Sequence, residues 1–322
     1  MTQRLRSERL PAVFAVAGLV ALGASLLLDA APSSHQRNGF DLDNSLVPIA
    51  EIHSGGPDRD GIPAIDQPRF IKADAVNFLA RDDEVLGLVA QSEARAYPIK
   101  IMDWHEIVND RIDGEPIAIT YCPLCGSGIA FRAEQAGRAL SFGVSGLLYN
   151  SDLLLYDRQT ESLWSQIAKQ AIAGPLVGTE LTALPLVHTT WGAWRRAHPQ
   201  TQVLSTETGE RRDYDRAPYG GYANEPGLYF PVSARSKRYH PKERVLGVEV
   251  NGQFKAYPFS ELSQTDGSVS DKVGGRPIEV RFDWAQPSAQ AFDAEGHPLP
   301  ATTLFWFAWY AFHPETAVYQ AN

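Results

Sequence analysis

Two long stretches of the chain alternate apolar and polar residues around a short polar break. The first begins at Val85 with "VLGLVAQSEARAYP", and the second begins at Val245 with "VLGVEVNGQFKAYP". Alternation with a period of two predicts strands, and a polar break between two such strands predicts a β-hairpin. The break in the second stretch is Asn251-Gly252, a strong hairpin signal.

The two predicted hairpins belong to a longer internal repeat. "NDRIDGEPIAI" from Asn109 matches "SDKVGGRPIEV" from Ser270 at an offset of 161 residues. "WGAWRRAHPQTQV" from Trp191 matches "WFAWYAFHPETAV" from Trp306 at an offset of 115, so the second copy lacks 46 residues. Because the matches keep their order along the chain, we interpret them as a tandem duplication whose second copy is degenerate.

Each copy is predicted to contain a hairpin, a short helix and a strand–turn–strand unit. In the first copy, four residues fall at helical spacing: Ile101, Trp104, His105 and Val108. "PIAITYC" and "GIAFR" are predicted as strands on either side of a tight turn. We call this turn, "CPLCG" at residues 122–126, the knuckle. We therefore expect a β-rich α+β fold, with a first module at residues 52–235 and a second, shortened module at 236–322.

The N-terminus has a different pattern. Three arginines precede an apolar run of 19 residues, 10–28, that has no charge until Asp29. A basic start followed by an apolar run predicts export, and this run is long enough to span a bilayer. Residues 1–30 are therefore predicted to be a signal peptide or an N-terminal membrane anchor, with the anchor favoured, and 31–51 a linker. We expect the protein outside the cytoplasm, in the periplasm or at the cell surface, tethered by one transmembrane helix.

Composition narrows the choice of partners. The net charge is -9 at pH 7, so the surface does not attract nucleic acid. The expected partner is the membrane, through the N-terminal segment, and the sequence assigns no catalytic residue.

The knuckle contains both cysteines of the chain, in "TYCPLCGSGIAF" at residues 120–131. "CPLCG" between two strands resembles the knuckles of rubredoxins and zinc ribbons, in which a tight turn brings two thiolates onto one metal ion. Cys122, Cys125 and His105 are all missing from the second copy. We therefore predict that these three residues bind a transition metal ion, with zinc or copper the expected metals.

Two other interpretations of the cysteine pair remain open. An exported protein with two cysteines often joins them in a disulfide, and the protein would then be a non-catalytic extracytoplasmic binding module. A C-P-x-C pair also occurs in thiol–disulfide reductases, but there it normally lies at a helix N-terminus.

A polar and aromatic stretch, "YNSDLLLYDRQTESLWSQI", follows the knuckle in the part that the second copy lacks. Alternate residues of a strand face one side of a sheet. The sequence thus offers a candidate substrate surface beside the knuckle, although a polar sheet face or a hydrogen-bonded loop is a slightly favoured alternative. Its residues are Tyr149, Asn150, Asp157, Thr160, Ser162, Trp164 and Gln166.

Several long motifs resemble the domain of unknown function 3179 family. They are "SGGPDRDGIPAIDQPRF", "YPIKIMDWHEIVNDRIDGEPIAITYCPLCGSGIAF", "FGVSGLLYNSDLLLYDRQTESLWSQI", "TTWGAWRRAHPQTQVLS" and "RDYDRAPYGGY". The resemblance covers roughly residues 52–263. It implies that the knuckle, "WHEIVND" and "SLWSQI" belong to one family pattern, and it implies no reaction.

Overall fold

The computed structural model describes residues 35–91 and 93–321, and most of the regular structure in them is β-strand. The strands are β1 (Gln36–Arg37), β2 (Phe40–Asp41), β3 (Ile52–Ser54), β4 (Phe70–Lys72), β5 (Glu84–Ala90), β6 (Glu93–Pro98), β7 (Ile107–Ile112), β8 (Glu115–Cys122), β9 (Ser127–Arg132), β10 (Glu134–Gln135), β11 (Arg138–Ala139), β12 (Phe142–Tyr149), β13 (Asp152–Asp157), β14 (Leu163–Ser165), β15 (Gln170–Ala173), β16 (Ala183–Leu184), β17 (Leu186–Thr190), β18 (Gln202–Leu204), β19 (Arg244–Val250), β20 (Gln253–Pro258), β21 (Ser268–Val273), β22 (Arg276–Asp283), β23 (Ser288–Phe292), β24 (Ala301–Phe305) and β25 (Ala317–Val318). The α-helices are α1 (Ile99–His105), α2 (Trp191–Ala197), α3 (Phe259–Leu262) and α4 (Trp306–Phe312). Short 3-10 helices lie at Ile49–Glu51, Ala73–Ala75 and Tyr222–Asn224.

Five sheets of three to five strands form the blades of a five-bladed β-propeller. Blade 1 has the strand order β17-β5-β6-β18-β4, blade 2 has β16-β9-β8-β7, and blade 3 has β15-β14-β13-β12-β3. Blade 4 has the order β24-β19-β20-β25, and blade 5 has β21-β22-β23. Neighbouring strands within the blades are antiparallel, except that β18 runs parallel to β6 and β25 runs parallel to β20.

The prediction of an α+β fold made of two tandem modules is wrong, because the structure is a mostly-β propeller that is only 12% helical. The matched segments do occupy equivalent strands, since Val85 pairs with Pro98 in blade 1 and Val245 pairs with Pro258 in blade 4. However, a hairpin and the strands that follow it belong to different sheets, so neither segment forms a module of its own. The part of the first segment that has no match in the second segment supplies most of blade 3.

The short helices pack against glycines in the blades. Thr190 caps α2, and its hydroxyl accepts from the backbone N–H of Ala193 at 3.3 Å. Trp194 of this helix lies so close to Gly87 in β5 that a Cβ atom there would come within 2.3 Å of the indole ring. Trp309 of α4 lies against Gly247 in β19, where the corresponding distance is also 2.3 Å. Glycine is therefore required at these strand positions by the close approach of a tryptophan.

The strands that flank the knuckle lie deep in the core. In β8, every residue after Glu115 is buried, and in β9 every residue before Arg132 is buried. A large hydrophobic cluster surrounds the knuckle and includes Cys122, Cys125 and Trp306. The prediction of strands on both sides of the cysteines is confirmed.

The segment predicted as a linker, 31–51, is ordered where the structure describes it. From residue 35 it forms β1, β2 and the first 3-10 helix. Phe40 and Leu42 are buried in a cluster with Tyr156 of blade 3. The segment thus packs against the propeller.

The predicted signal peptide or anchor, residues 1–30, lies outside the described residues. Within 35–91 and 93–321, no helix is long and apolar enough to cross a membrane.

Candidate functional site

The knuckle connects β8 to β9 through a tight turn. Cys122 ends β8 and pairs with Ser127, the first residue of β9. The backbone N–H of Cys125 donates to the carbonyl of Cys122 at 3.2 Å. Gly126 has a φ of +61°, in the left-handed region that favours glycine, so the chain can enter β9 directly after the second cysteine. Both cysteine side chains therefore project from one short loop.

The two cysteines are free, buried thiols. The Sγ atom of Cys125 lies 3.4 Å from the carbonyl oxygen of Ser151, and the Sγ atom of Cys122 lies 3.8 Å from the same oxygen. Burial raises the pKa of the Cys125 thiol well above its usual range, and the adjacent Cys122 adds to the effect. The Cys125 thiol is therefore protonated in the absence of a cation, and both sulfurs lie within weak hydrogen-bonding distance of one carbonyl oxygen.

Asp152 of blade 3 lies beside the thiols of blade 2. Its Oδ2 atom accepts from the backbone N–H of Ile167 at 3.0 Å and from the hydroxyl of Ser165 at 3.3 Å. Its Oδ1 atom is buried without a partner among the described residues. Burial raises the pKa of Asp152 to about 8. One ligand atom each from Asp152, Cys122 and Cys125 lies within 4.8 Å of the other two.

A buried ammonium group completes the surroundings of the knuckle. Lys242 is 5% exposed, and its Nζ donates to the carbonyl oxygens of Gly227 and Tyr222, at 3.0 and 3.1 Å. The same Nζ lies 3.1 Å from the centre of the Tyr222 ring. Burial lowers the pKa of Lys242 to about 8, although Glu225 and Cys125 act in the opposite direction. A cation is thus held inside the protein close to Cys125.

His105 does not lie in the cluster of the two thiols and Asp152. It ends α1 and is fully buried, with Nδ1 2.7 Å from the carbonyl oxygen of Pro63 and Nε2 2.8 Å from the hydroxyl of Tyr214. Burial lowers its pKa. Both ring nitrogens therefore have hydrogen-bond partners away from the cysteines, and Asp152 is the third side chain that the fold brings to them.

The predicted substrate surface lies mostly in the protein interior. Tyr149 and Thr160 are partly exposed, and the other five residues are buried: Asn150, Asp157, Ser162, Trp164 and Gln166. Four of the seven form one hydrogen-bonded cluster: Asp157, Thr160, Ser162 and Trp164. Asp157 accepts from the indole N–H of Trp164 at 2.9 Å and from the hydroxyl of Thr160 at 2.8 Å.

Gln166 makes a separate contact, with the strands on either side of the knuckle. Its Oε1 accepts from the hydroxyl of Ser127 at 2.6 Å, and its Nε2 donates to the hydroxyl of Thr120 at 2.8 Å. Asn150 binds a different segment, because its Oδ1 accepts from the backbone N–H of Ser233 at 2.7 Å. The polar stretch after the knuckle thus supports the turn from within.

A second group of metal-binding residue types occurs at the surface, at Asp293, Glu295 and His297. His297 is 76% exposed and bonds to Asp293 at 3.3 Å. Exposed acidic groups in a turn are common without a metal, so this group adds no candidate site.

Sequence reasoning did not identify Asp152, Lys242 and Tyr222 as site residues. Asp152 belongs to the polar stretch after the knuckle, but its approach to the cysteines depends on the packing of two different blades. Lys242 lies 117 positions after Cys125 in the chain, and no local pattern connects the two.

The structure thus defines a mostly-β propeller with a buried site of two thiols, one carboxyl group and one ammonium group. The chain belongs to a family of proteins of unknown function, DUF3179, whose family model matches residues 59–316. The resemblance predicted from the motifs is confirmed, and the match extends beyond residue 263. Neither a curated protein nor a solved structure gives a significant match to the chain.

Proposed function

We propose that the protein binds one transition metal ion through Cys122, Cys125 and Asp152. The observation that carries this proposal is the convergence of three ligand atoms within 4.8 Å of one another at a buried position. Asp152 brings a carboxyl oxygen that has no other partner among the described residues. A buried polar atom without a partner is costly, and a metal ion would supply the missing interaction.

The charges around the site support a divalent ion. Two thiolates and one carboxylate carry three negative charges, and a divalent cation leaves one of these unbalanced. The ammonium group of Lys242, close to Cys125, balances the remaining charge. Metal binding would also reverse the effect of burial on the thiols, because a bound cation strongly favours the thiolate form.

The ligand types favour zinc or copper, and the charge balance favours divalent zinc over copper(I). Thiolates are soft ligands that select zinc and copper(I) over magnesium or calcium, and a carboxylate oxygen is an accepted zinc ligand. The carbonyl oxygen of Ser151 is a further donor atom near both sulfurs. Three protein side chains leave a fourth position on a tetrahedral ion for this carbonyl or for an external ligand.

The experiment compares metal content and affinity in matched variants. The protein is purified under reducing conditions, loaded with zinc or with copper(I), and titrated against a chromophoric chelator. We expect about one ion per chain in the wild type, and a loss of about tenfold or more in affinity in Cys122→Ser and in Asp152→Asn. His105→Gln is the control, because it tests the ligand set predicted from the sequence.

Two results would contradict the proposal. One is the absence of stoichiometric metal binding in the wild type. The other is a loss of binding in His105→Gln together with full binding in Asp152→Asn. Near-UV circular dichroism of each variant shows whether its tertiary structure is intact.

The burial of the thiols favours metal binding over thiol–disulfide exchange. Reactive redox cysteines are partly exposed and have a lowered pKa. Cys122 is 1% exposed, Cys125 is fully buried, and burial raises the pKa of Cys125. The knuckle also lies between two strands, whereas redox pairs normally lie at a helix N-terminus.

We also propose that the propeller is exported and tethered to the membrane. The support is the basic start of the chain followed by the apolar run at 10–28. Cell fractionation with an alkaline wash tests this proposal. The full chain should stay with the membranes, and recovery in the cytosolic fraction would contradict export.

A further inference from the structure

A separate cavity of about 230 Å³ lies beside the knuckle, and its walls include Pro123 and Gly126. Drug-sized ligands occupy pockets of roughly 300–1,000 Å³, so this cavity suits a smaller molecule.

Among the charged residues that line the cavity, one carboxyl group has no partner. Glu84 and Arg244 form an ion pair, with Oε1 and Nη1 2.5 Å apart. Asp103, at the wall formed by α1, has no hydrogen-bond or ion-pair partner among the described residues, although it is only partly exposed. Burial raises the pKa of Asp103 to about 7, and Glu84 acts in the same direction, so a cationic ligand is what would hold this carboxyl group in its charged form.

His188 adds no positive charge to the cavity. Nη2 of Arg244 lies 2.9 Å from Nε2 of His188. Because a guanidinium can only donate, Nε2 is the acceptor, and the neutral ring carries its proton on Nδ1. Burial, together with Arg244, lowers the pKa of His188 and keeps the ring neutral. Its Nδ1–H is buried without a partner among the described residues.

Aromatic rings make up much of the remaining wall. Tyr121, Tyr219, Tyr222 and Phe305 all line the cavity. The faces of such rings attract organic cations, and several rings around one cation are the usual way in which proteins bind ammonium groups. The ammonium group of Lys242 already lies 3.1 Å from the centre of the Tyr222 ring, so the rings left for a ligand are those of Tyr121, Tyr219 and Phe305.

We propose that this cavity binds a small organic ammonium compound, with Asp103 as its counter-ion and the aromatic rings around its cationic head. A metal ion fits less well, because rings offer no ligand atoms. A small anion would be repelled by the charged form of Asp103. The proposal does not depend on metal binding at the cysteines.

Isothermal titration calorimetry with three probes tests the proposal. Choline and ethanolamine are a quaternary and a primary ammonium compound, and 3,3-dimethylbutan-1-ol has the shape of choline with a carbon atom in place of nitrogen. At least one of the two cations should bind saturably, and the neutral alcohol should bind about tenfold more weakly or not at all.

Matched variants locate the binding in the cavity. Asp103→Asn preserves shape and should weaken cation binding by about tenfold or more. Asp113→Asn should leave binding unchanged, because Asp113 is exposed in the turn between β7 and β8 and does not line the cavity. Tyr121→Leu provides a second variant that removes a ring without changing charge, and it should also weaken binding.

Three results would overturn the proposal: no binding of either cation at millimolar concentration, equal binding of the neutral alcohol, or unchanged binding in Asp103→Asn. Cation binding that persists in Cys122→Ser would support the cavity proposal, because it would show that the cavity binds cations independently of the cysteines. Either proposal can then fail without the other.

Discussion

Burial sets the protonation state of single side chains in this fold, and His313 is a clear case. Its ring stacks on Phe254, with the ring centres 3.9 Å apart, and lies 4.3 Å from the centre of the Trp309 ring. Burial lowers the pKa of His313 to about 4, and Lys169 acts in the same direction, whereas Glu249 opposes it. The folded protein therefore holds this histidine in its neutral form.

We predict that His313 makes the protein less stable in mild acid. The unfolded chain binds a proton at this residue below about pH 6.5, whereas the folded chain does so only near pH 4. The contribution of neutral His313 to the free energy of unfolding is present in full above pH 6.5, and it is lost progressively as the pH falls toward 4. Between pH 7 and pH 5, the free energy of unfolding of the wild type should fall by roughly 2 kcal/mol more than that of His313→Gln.

Urea titrations of both proteins at the two pH values measure this difference. Equal losses in the wild type and in His313→Gln would contradict the prediction, since all other titrating groups are shared by the two proteins.

The proposed metal site shows which single residues can be predicted from the sequence. The spacing of the two cysteines and the glycine after them indicated the turn, because these signals are local. The approach of Asp152 to the cysteines could not be predicted in the same way, since Asp152 belongs to another blade. His105 has the right residue type, but α1 directs both of its ring nitrogens to other partners.

Among the secondary-structure elements, the contacts between strand glycines and helix tryptophans provide a sharp test of packing. Gly247 and Gly87 each face an indole ring at a distance that excludes a side chain. The two positions are equivalent in the matched segments. This packing explains why both segments combine a glycine in the hairpin with a tryptophan in the later helix.

We predict that Gly247→Ala destabilises the protein by about 1–3 kcal/mol, because overpacking forces Trp309 or the strand to move. Gly87→Ala should have a similar effect. Gly227→Ala is the control, because a Cβ atom at this position meets no other atom within 4 Å. Urea denaturation followed by tryptophan fluorescence measures all three variants. A Gly247→Ala protein as stable as the control would show that the contact with Trp309 does not exclude a methyl group.

Strands and short helices were the elements that the sequence predicted best. Alternation identified the hairpins β5–β6 and β19–β20, and helical spacing identified α1, although Val108 lies in β7 and not in the helix. The arrangement of these elements was not predictable in the same way. A strand's own residues show which face is buried, but they do not show which sheet it joins.

For the whole molecule, the propeller implies that the blades depend on one another. The backbone N–H of Phe305, at the end of β24, donates to the carbonyl of Cys125 at 2.8 Å. Trp306 is 1% exposed and belongs to the same hydrophobic cluster as Cys122. The final 87 residues, 236–322, thus cover the knuckle and supply part of its core.

We therefore predict that residues 35–235 do not fold without the rest of the chain. Removal of 236–322 takes away blades 4 and 5, exposes the apolar surroundings of the cysteines and opens the closed ring of sheets. The full propeller should unfold in one transition, with coincident curves from circular dichroism and tryptophan fluorescence. The fragment should lack a near-UV signal and a cooperative transition. A fragment that unfolds cooperatively would instead favour two independent modules, because only a module with its own closed core can be stable alone.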